Sequence, residues 1–244
     1  PQFDGNLAAD STAQPLIERL ALRLAQGLRR DHLRRYLAAP RRELGEIGFD
    51  HLRQDKQTAV LGQEAQNIPY QGLEARALGI PVFTLNDSTL DSTLDLVIDG
   101  ADEVDPAGNM IKGGGGALLM EKIIAYAATT LVIIVDHTKL SPRLCERFAI
   151  PVEVVANALV PVSKRLREMG GEVNLRMAVR KAGPVVTDLG NLLLDVSFRS
   201  AFDPRKLEDE LKLIPGVLEN GIFTKKPPQL VVGLSDGRFE TRAY

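Results

Sequence analysis

Leu94-Asp95-Leu96-Val97-Ile98-Asp99-Gly100-Ala101-Asp102-Glu103 runs on through a short polar loop to Lys112-Gly113-Gly114-Gly115-Gly116-Ala117-Leu118-Leu119-Met120-Glu121-Lys122. Residues 94–98 read as a buried strand, and an acidic cluster closes it. The lysine and four glycines then open an apolar helix over 117–128, and residues 131–135 form a second, wholly apolar strand. A strand, a helix and a strand in this order predict a parallel sheet covered on both faces. Ligands of such sheets collect outside the carboxyl ends of the strands. Asp99 and Asp136 directly follow the two strands, which places both on that rim.

Upstream, residues 73–78 read as a short helix ended by Gly79, and 80–85 as a strand. From residue 1 to about 72 the pattern is mostly helical and polar. Downstream, a second unit begins near Ile150-Pro151. Residues 152–155 read as strand, 159–169 as helix, and 173–179 and 192–196 as strands. Asp203-Pro204 supplies an N-cap followed by proline at the first helical position, so a helix starts there. Residues 217–223 complete the unit as one strand. This β-α-β-β-α-β order is the ferredoxin-like split motif. After Pro227-Pro228, residues 230–233 return to the first sheet. The predicted fold class is therefore α/β: a parallel-sheet, Rossmann-like domain of residues 1–149 and 229–244, and a ferredoxin-like α+β domain of residues 150–228.

Composition narrows the function. A formal charge of −2 gives no global drive toward nucleic acid or an anionic membrane, and the absence of Trp argues against a base-stacking surface. Eight arginines lie between Arg19 and Arg42, but Leu20, Leu24 and Leu28 recur among them at helical spacing, so they read as a solvated helix face. No run approaches the roughly 18–20 apolar residues of a membrane span. The single cysteine, Cys145, cannot form an internal disulfide, and no export signal is recognisable. The expectation is a cytoplasmic protein, or one of an organelle stroma.

The glycine run fails two common motif tests. A dinucleotide fingerprint needs glycine where Leu118 stands, and a Walker A loop needs Lys-Ser or Lys-Thr after its last glycine. What remains is a lysine, a run of amide donors at the positive end of a helix, and a helical carboxylate. Lys112 can neutralise charge developing on a ligand, and Glu121 can move protons. In the acidic cluster, Glu103 and Asp105 are expected to face solvent, leaving Asp99 and Asp102 for the site. The spacing does not fit a calcium loop, and the cluster contains no histidine; His137 is the nearest by order. Lys139 lies on the same rim and suits an anionic group, or is a solvated loop lysine. Cys145 has no paired base nearby and reads as a structural thiol.

These residues resemble the type A ribose-5-phosphate isomerase family. The resemblance rests on Asp99-Gly100-Ala101-Asp102-Glu103, Lys112 to Ala117, Glu121-Lys122-Ile123 and Lys139. It continues through Pro151-Val152-Glu153-Val154, Val186-Thr187-Asp188, Gly190-Asn191, Ile214-Pro215-Gly216-Val217 and Gly221-Ile222-Phe223. It implies interconversion of ribose 5-phosphate and ribulose 5-phosphate in the pentose phosphate pathway, without cofactor or metal. By matched motif, Glu121 is the proton-transferring base, with Asp99, Asp102 and Lys112 also catalytic. Asp99, Gly100, Ala101, Asp102, Lys112, Gly113, Gly114, Gly115 and Lys139 bind the sugar phosphate. Family members carry a Gly-Thr-Gly-Ser-Thr phosphate loop near the N-terminus; its nearest match here is Ala8-Ala9-Asp10-Ser11-Thr12. Ser11 and Thr12 are phosphate contacts on that reading, and a helix N-cap on the plainer one. The family further implies a homodimer or homotetramer assembled through residues 150–228. A non-catalytic sugar-phosphate-binding relative, or an oligomer partner, is the alternative, with a metal-dependent phosphoryl-transfer enzyme behind it.

Overall fold

The computed structural model describes residues 60–61, 82–83, 85–86, 94–179, 182–236 and 238–244. Ser11, Thr12, the arginine-rich segment and the helix expected over 73–78 lie outside the described residues. β1 (Val60–Leu61) and β2 (Val82–Phe83), the latter inside the strand expected over 80–85, pair in parallel.

The central sheet is built on β3 (Leu94–Asp99). The chain next forms a small hairpin of β4 (Glu103–Val104) and β5 (Met110–Ile111), then helix α1 (Leu118–Ala127) and strand β6 (Ala128–Asp136). β6 pairs in parallel with β3, as the apolar runs predict. Leu131 through Val135 are all buried, which contributes on the order of 1.5–3 kcal/mol for each large side chain. β-branched residues in this run suit a strand covered on both faces.

The second unit follows as β7 (Ile150–Val154), α2 (Leu159–Glu168), β8 (Gly171–Leu175), β9 (Leu192–Phe198), α3 (Pro204–Lys212) and β10 (Val217–Asn220). Its sheet is antiparallel, in the order β10-β7-β9-β8. Asp203 caps α3 by accepting from the Arg205 and Lys206 amides, with Pro204 in the first turn. Val162 and Leu166 of α2 and Leu207 and Leu211 of α3 share a core with Val152, Val154, Leu194 and Val196 of the sheet. β8 stops at Leu175, short of the strand expected through 179.

The strand expected over 217–223 is two strands. β10 belongs to the antiparallel sheet, whereas β11 (Ile222–Phe223) joins β5 and β4. Gly221 is the crossing point, where its N–H donates to Pro151 O and its carbonyl accepts from Lys112 N–H. A Cβ there would lie 2.4 Å from the Lys112 carbonyl oxygen. The small sheet also joins two cores. Ile111 and Ile222 face the core of the second unit, while Met110 and Phe223 face the core containing Leu131, Ile133 and Val135. Alternation along a strand makes this possible. Finally β12 (Gln229–Gly233) returns beside β6 in parallel, and β13 (Phe239–Ala243) adds an antiparallel edge. The result is an α/β fold with a mixed, mostly parallel sheet and two antiparallel sheets. Among the described residues, no helix is long and apolar enough to cross a membrane.

Candidate active site

Three elements end at one place: β3 delivers Asp99, β5 delivers Lys112, and the first turn of α1 delivers Glu121. Lys112 is buried, with its ammonium 2.7 Å from Asp99 Oδ2, 2.5 Å from the Gly100 carbonyl and 3.2 Å from Glu121 Oε2. Burial alone would favour the neutral amine. The Asp99 and Glu121 carboxylates outweigh it and hold the ammonium above the ordinary lysine range. Lys112 is thus a fixed positive charge rather than a proton carrier.

Glu121 behaves differently. Its buried Oε2 is ion-paired with the Lys112 ammonium at 3.2 Å and takes no other donor among the described residues. Burial pushes this carboxyl above the ordinary glutamate range; Lys112 opposes the shift, and the Asp99 and Asp102 charges add to it. α1 orients the carboxyl: Leu118, Lys122 and Ala125 face the interior at helical spacing, and Glu121 sits on the adjoining face.

The glycine run is a folded loop. Gly113 and Gly116 have φ values of +98° and +89°, and the Gly116 N–H donates to Gly113 O. A Cβ on Gly113 would stand 2.6 Å from the Leu118 Cβ, and one on Gly114 would stand 2.6 Å from Asp102 Oδ1. Asp102 accepts the Gly114 N–H at 2.7 Å, so this carboxylate is a brace for the loop. Gly115 is exposed, and a Cβ on it would meet no described atom within 4 Å. Ala101 packs at the edge of the core beneath.

Glu103 and Asp105 do not face solvent. Glu103 is buried and accepts the amides of Cys145, Glu146 and Arg147. Asp105 is also buried, and accepts the amides of Ala107 and Asn109 and the Asn109 side chain. Their charge is used by donors that arrive with the fold. Lys139 ends a 3-10 turn, His137–Lys139, that follows β6 and is capped by Asp136; its ammonium makes no ion pair among the described residues. Cys145 is half-buried, and burial pushes its thiol up, away from nucleophilic use. Arg176, which carries no motif signal, donates to the carbonyls of Gly113 and Gly114 while paired with Asp195.

The family model for ribose 5-phosphate isomerase A (phosphoriboisomerase A) matches residues 71–237. The chain belongs to this family. Ribose-5-phosphate isomerase A of Treponema denticola is 40% identical over 243 residues, covering 98% of this chain and 89% of the relative. The solved ribose 5-phosphate isomerase A of Methanocaldococcus jannaschii is 42% identical with a TM-score of 0.65, over 72% of this chain and 76% of that one. A D-ribose-5-phosphate isomerase solved in complex with phospho-erythronic acid is also 42% identical, with a TM-score of 0.68 over 72% of this chain and 75% of that one.

The ribose 5-phosphate isomerase A motifs beyond the site also meet in space. Glu153, buried in β7, accepts the Thr187 hydroxyl at 2.8 Å and the Asn191 amide at 2.9 Å. These hydrogen bonds tie the loop before β9 to β7.

Proposed function

We propose that ribose 5-phosphate and ribulose 5-phosphate are interconverted in this chain at the Lys112 cluster, with Glu121 carrying the proton between C2 and C1. The observation that carries this reading is the Glu121 carboxylate, raised in basicity by burial and ion-paired at 3.2 Å with the fixed Lys112 ammonium that also binds Asp99. In the aldose-to-ketose direction the carboxylate takes the C2 proton. The released electron pair forms a C1–C2 double bond, and the C1 carbonyl oxygen becomes an enediolate oxygen. Returning the proton to C1, with transfer of the O2 hydroxyl proton to O1, leaves the carbonyl at C2. One carboxylate on one face of the substrate suffices, and a raised pKa brings its basicity nearer to working pH. The Lys112 charge and a glycine-loop amide stabilise the oxyanion without taking its proton. Asp99, hydrogen-bonded to Lys112 and one-third exposed, handles hydroxyl protons or ring opening. Lys139 on the rim suits the phosphate. Only protons move, so the reaction as drawn needs no cofactor.

The strand order supports the finer architecture as well. We read the parallel-sheet portion, residues 1–149 and 229–244, as a Rossmann-like catalytic domain, and residues 150–228 as a ferredoxin-like domain through which copies associate. Exposed Met177, Val179, Val186 and Leu189 on the latter suit a partner surface. A concentration-independent monomer in sedimentation would overturn the association.

Glu121→Gln tests the chemistry. It keeps shape and hydrogen-bonding capacity but removes the base, so turnover should fall by about 10²- to 10⁴-fold with KM little changed. Near-normal isomerisation by this variant would refute the assignment. Added chelator should leave the wild-type rate unaltered, whereas a metal-dependent phosphoryl-transfer enzyme would lose activity.

A further inference from the structure

Arg176 stands just beyond the end of β8, far from Gly113 in sequence, yet it reaches the glycine loop. Its backbone is held on both sides, the N–H donating to Leu193 O and the carbonyl accepting from Val185 N–H. Its Nε donates to both Asp195 carboxylate oxygens, at 3.2 and 3.0 Å, and Nη2 also binds Asp195. The remaining arm, Nη1, donates to Gly113 O at 3.0 Å and to Gly114 O at 3.1 Å. The side chain is only 15% exposed.

A trans peptide points its C=O and N–H in opposite directions. Fixing the Gly113 and Gly114 carbonyls on Arg176 therefore turns the Gly114 and Gly115 N–H groups to the other side. The Gly114 N–H is taken by Asp102. The Gly115 N–H has no acceptor among the described residues, and a Cβ on Gly115 would meet no described atom within 4 Å. Consecutive glycines offer little intrinsic resistance to a peptide flip, so the direction of this donor depends on what grips its carbonyl. A guanidinium fits the task because its planar fork can hold a carboxylate and two carbonyls at once, which a lysine ammonium cannot match.

We propose that Arg176, locked by Asp195, is a positioning residue for the isomerisation: it grips the Gly113 and Gly114 carbonyls so that the Gly115 N–H is aimed at the developing enediolate oxygen. This inference rests on the assignment of the glycine loop and Glu121 to the reaction. It makes the second sheet, which carries no reacting group, a support for the oxyanion donor.

The test compares Arg176→Ala, Arg176→Lys and Asp195→Asn with Glu121→Gln, measuring kcat, KM and melting temperature with ribose 5-phosphate. An oxyanion donor typically contributes about 10²- to 10³-fold; losing its alignment in Arg176→Ala should cost about 10- to 100-fold, mostly in kcat. Arg176→Lys should recover part of this loss. Asp195→Asn, which keeps the guanidinium but weakens its lock, should fall between wild type and Arg176→Ala. A structural role alone would lower the melting temperature and leave kcat and KM within about 2-fold of wild type in the cold, folded enzyme. That result, or a change confined to KM, overturns the proposal. Should Arg176→Ala not fold, Asp195→Asn and Arg176→Lys decide by the same criteria. An active Arg176→Ala beside an inactive Glu121→Gln sinks this inference alone, whereas an active Glu121→Gln sinks the site assignment beneath it.

Discussion

Lys112 and Lys122 are both buried lysines, each facing two carboxylates, and neighbouring residues of one helix contribute to both clusters: Glu121 to the first and Lys122 to the second. Around Lys122 every charge is satisfied. Glu208, with a side chain 3% exposed, accepts from the Tyr126 hydroxyl and from the amide and hydroxyl of Thr224, and stands 3.2 Å from Lys122. Glu219 accepts from Lys122, Lys212 and the Asn220 amide. Around Lys112 the carboxylates are more open, at 34% exposure for Asp99 and 21% for Glu121, and the buried Glu121 Oε2 has only the Lys112 ammonium among the described residues. Charge and burial alone do not separate a structural ion cluster from a reactive one. Completeness of hydrogen bonding does.

Replacing each lysine by alanine should break this pair apart. Lys122→Ala leaves the buried Glu208 without its cation and Glu219 with Lys212 alone, which should cost about 3–5 kcal/mol of stability, read by denaturant unfolding. The fraction that stays folded should turn over substrate nearly normally. Lys112→Ala should do the reverse. Its carboxylates can reach water, so stability should fall less, while loss of the oxyanion charge should lower kcat by about 10²- to 10³-fold and weaken binding. If Lys122→Ala lost turnover without losing stability, the division between the clusters would be wrong.

Much of this geometry could be read from local sequence. The 94–98 and 131–135 runs are apolar enough to specify buried strands, and Asp203-Pro204 specifies a helix start, so these elements appear where expected. Asp99, Lys112 and Glu121 announce themselves by residue type, and the fold brings them together. What was illegible depends on distant partners. The break at Gly221 follows from contacts with Lys112 and Pro151, neither of them near it in the chain. Glu103 reads as a surface acid because the amides that bury it belong to Cys145, Glu146 and Arg147. Arg176 has no local signal at all, since its meaning lies in two glycine carbonyls supplied by another part of the fold.

The open cluster should also respond to pH in a way the closed one does not. Protonation of Glu121 removes the base, so kcat/KM should fall as pH drops through its pKa in the free enzyme, which burial holds above the ordinary value of 4.5. Asp99 adds to that upward shift. Asp99→Asn removes a neighbouring negative charge, so the acidic limb of the profile should move to lower pH, whatever happens to the maximal rate. The substrate phosphate also titrates, with its second ionisation near pH 6 by approximate rule, but a phosphate limb would not move with the mutation. An acidic limb unchanged in Asp99→Asn would therefore assign it to substrate rather than to Glu121.

The smallest expected effect is the most selective probe of the closed cluster. The Tyr126 hydroxyl donates to Glu208 Oε1 at 2.7 Å and accepts the Lys225 N–H at 3.3 Å, and its ring packs edge-on against Phe223 with centroids 6.0 Å apart. Burial, with the Glu208 charge beside it, pushes the phenol far above its ordinary range, so it remains a neutral donor at every working pH. Tyr126→Phe deletes that donor and keeps the ring. Glu208 retains Lys122 and both Thr224 donors, so its charge stays compensated. The expected loss is about 1.5–3 kcal/mol, the usual scale for one hydrogen bond to a charged group, seen as a lower denaturation midpoint with an unchanged slope. Phe223 also lies under Lys112, its ring centroid 5.6 Å from the ammonium, so the two clusters share a wall. With the aromatic packing intact, that wall should not move, and kcat and KM should both stay near wild type. A substantial fall in kcat with an unchanged denaturation midpoint would mean that the Lys122 cluster tunes the reactive one through Phe223, and that the two lysines form a single electrostatic unit.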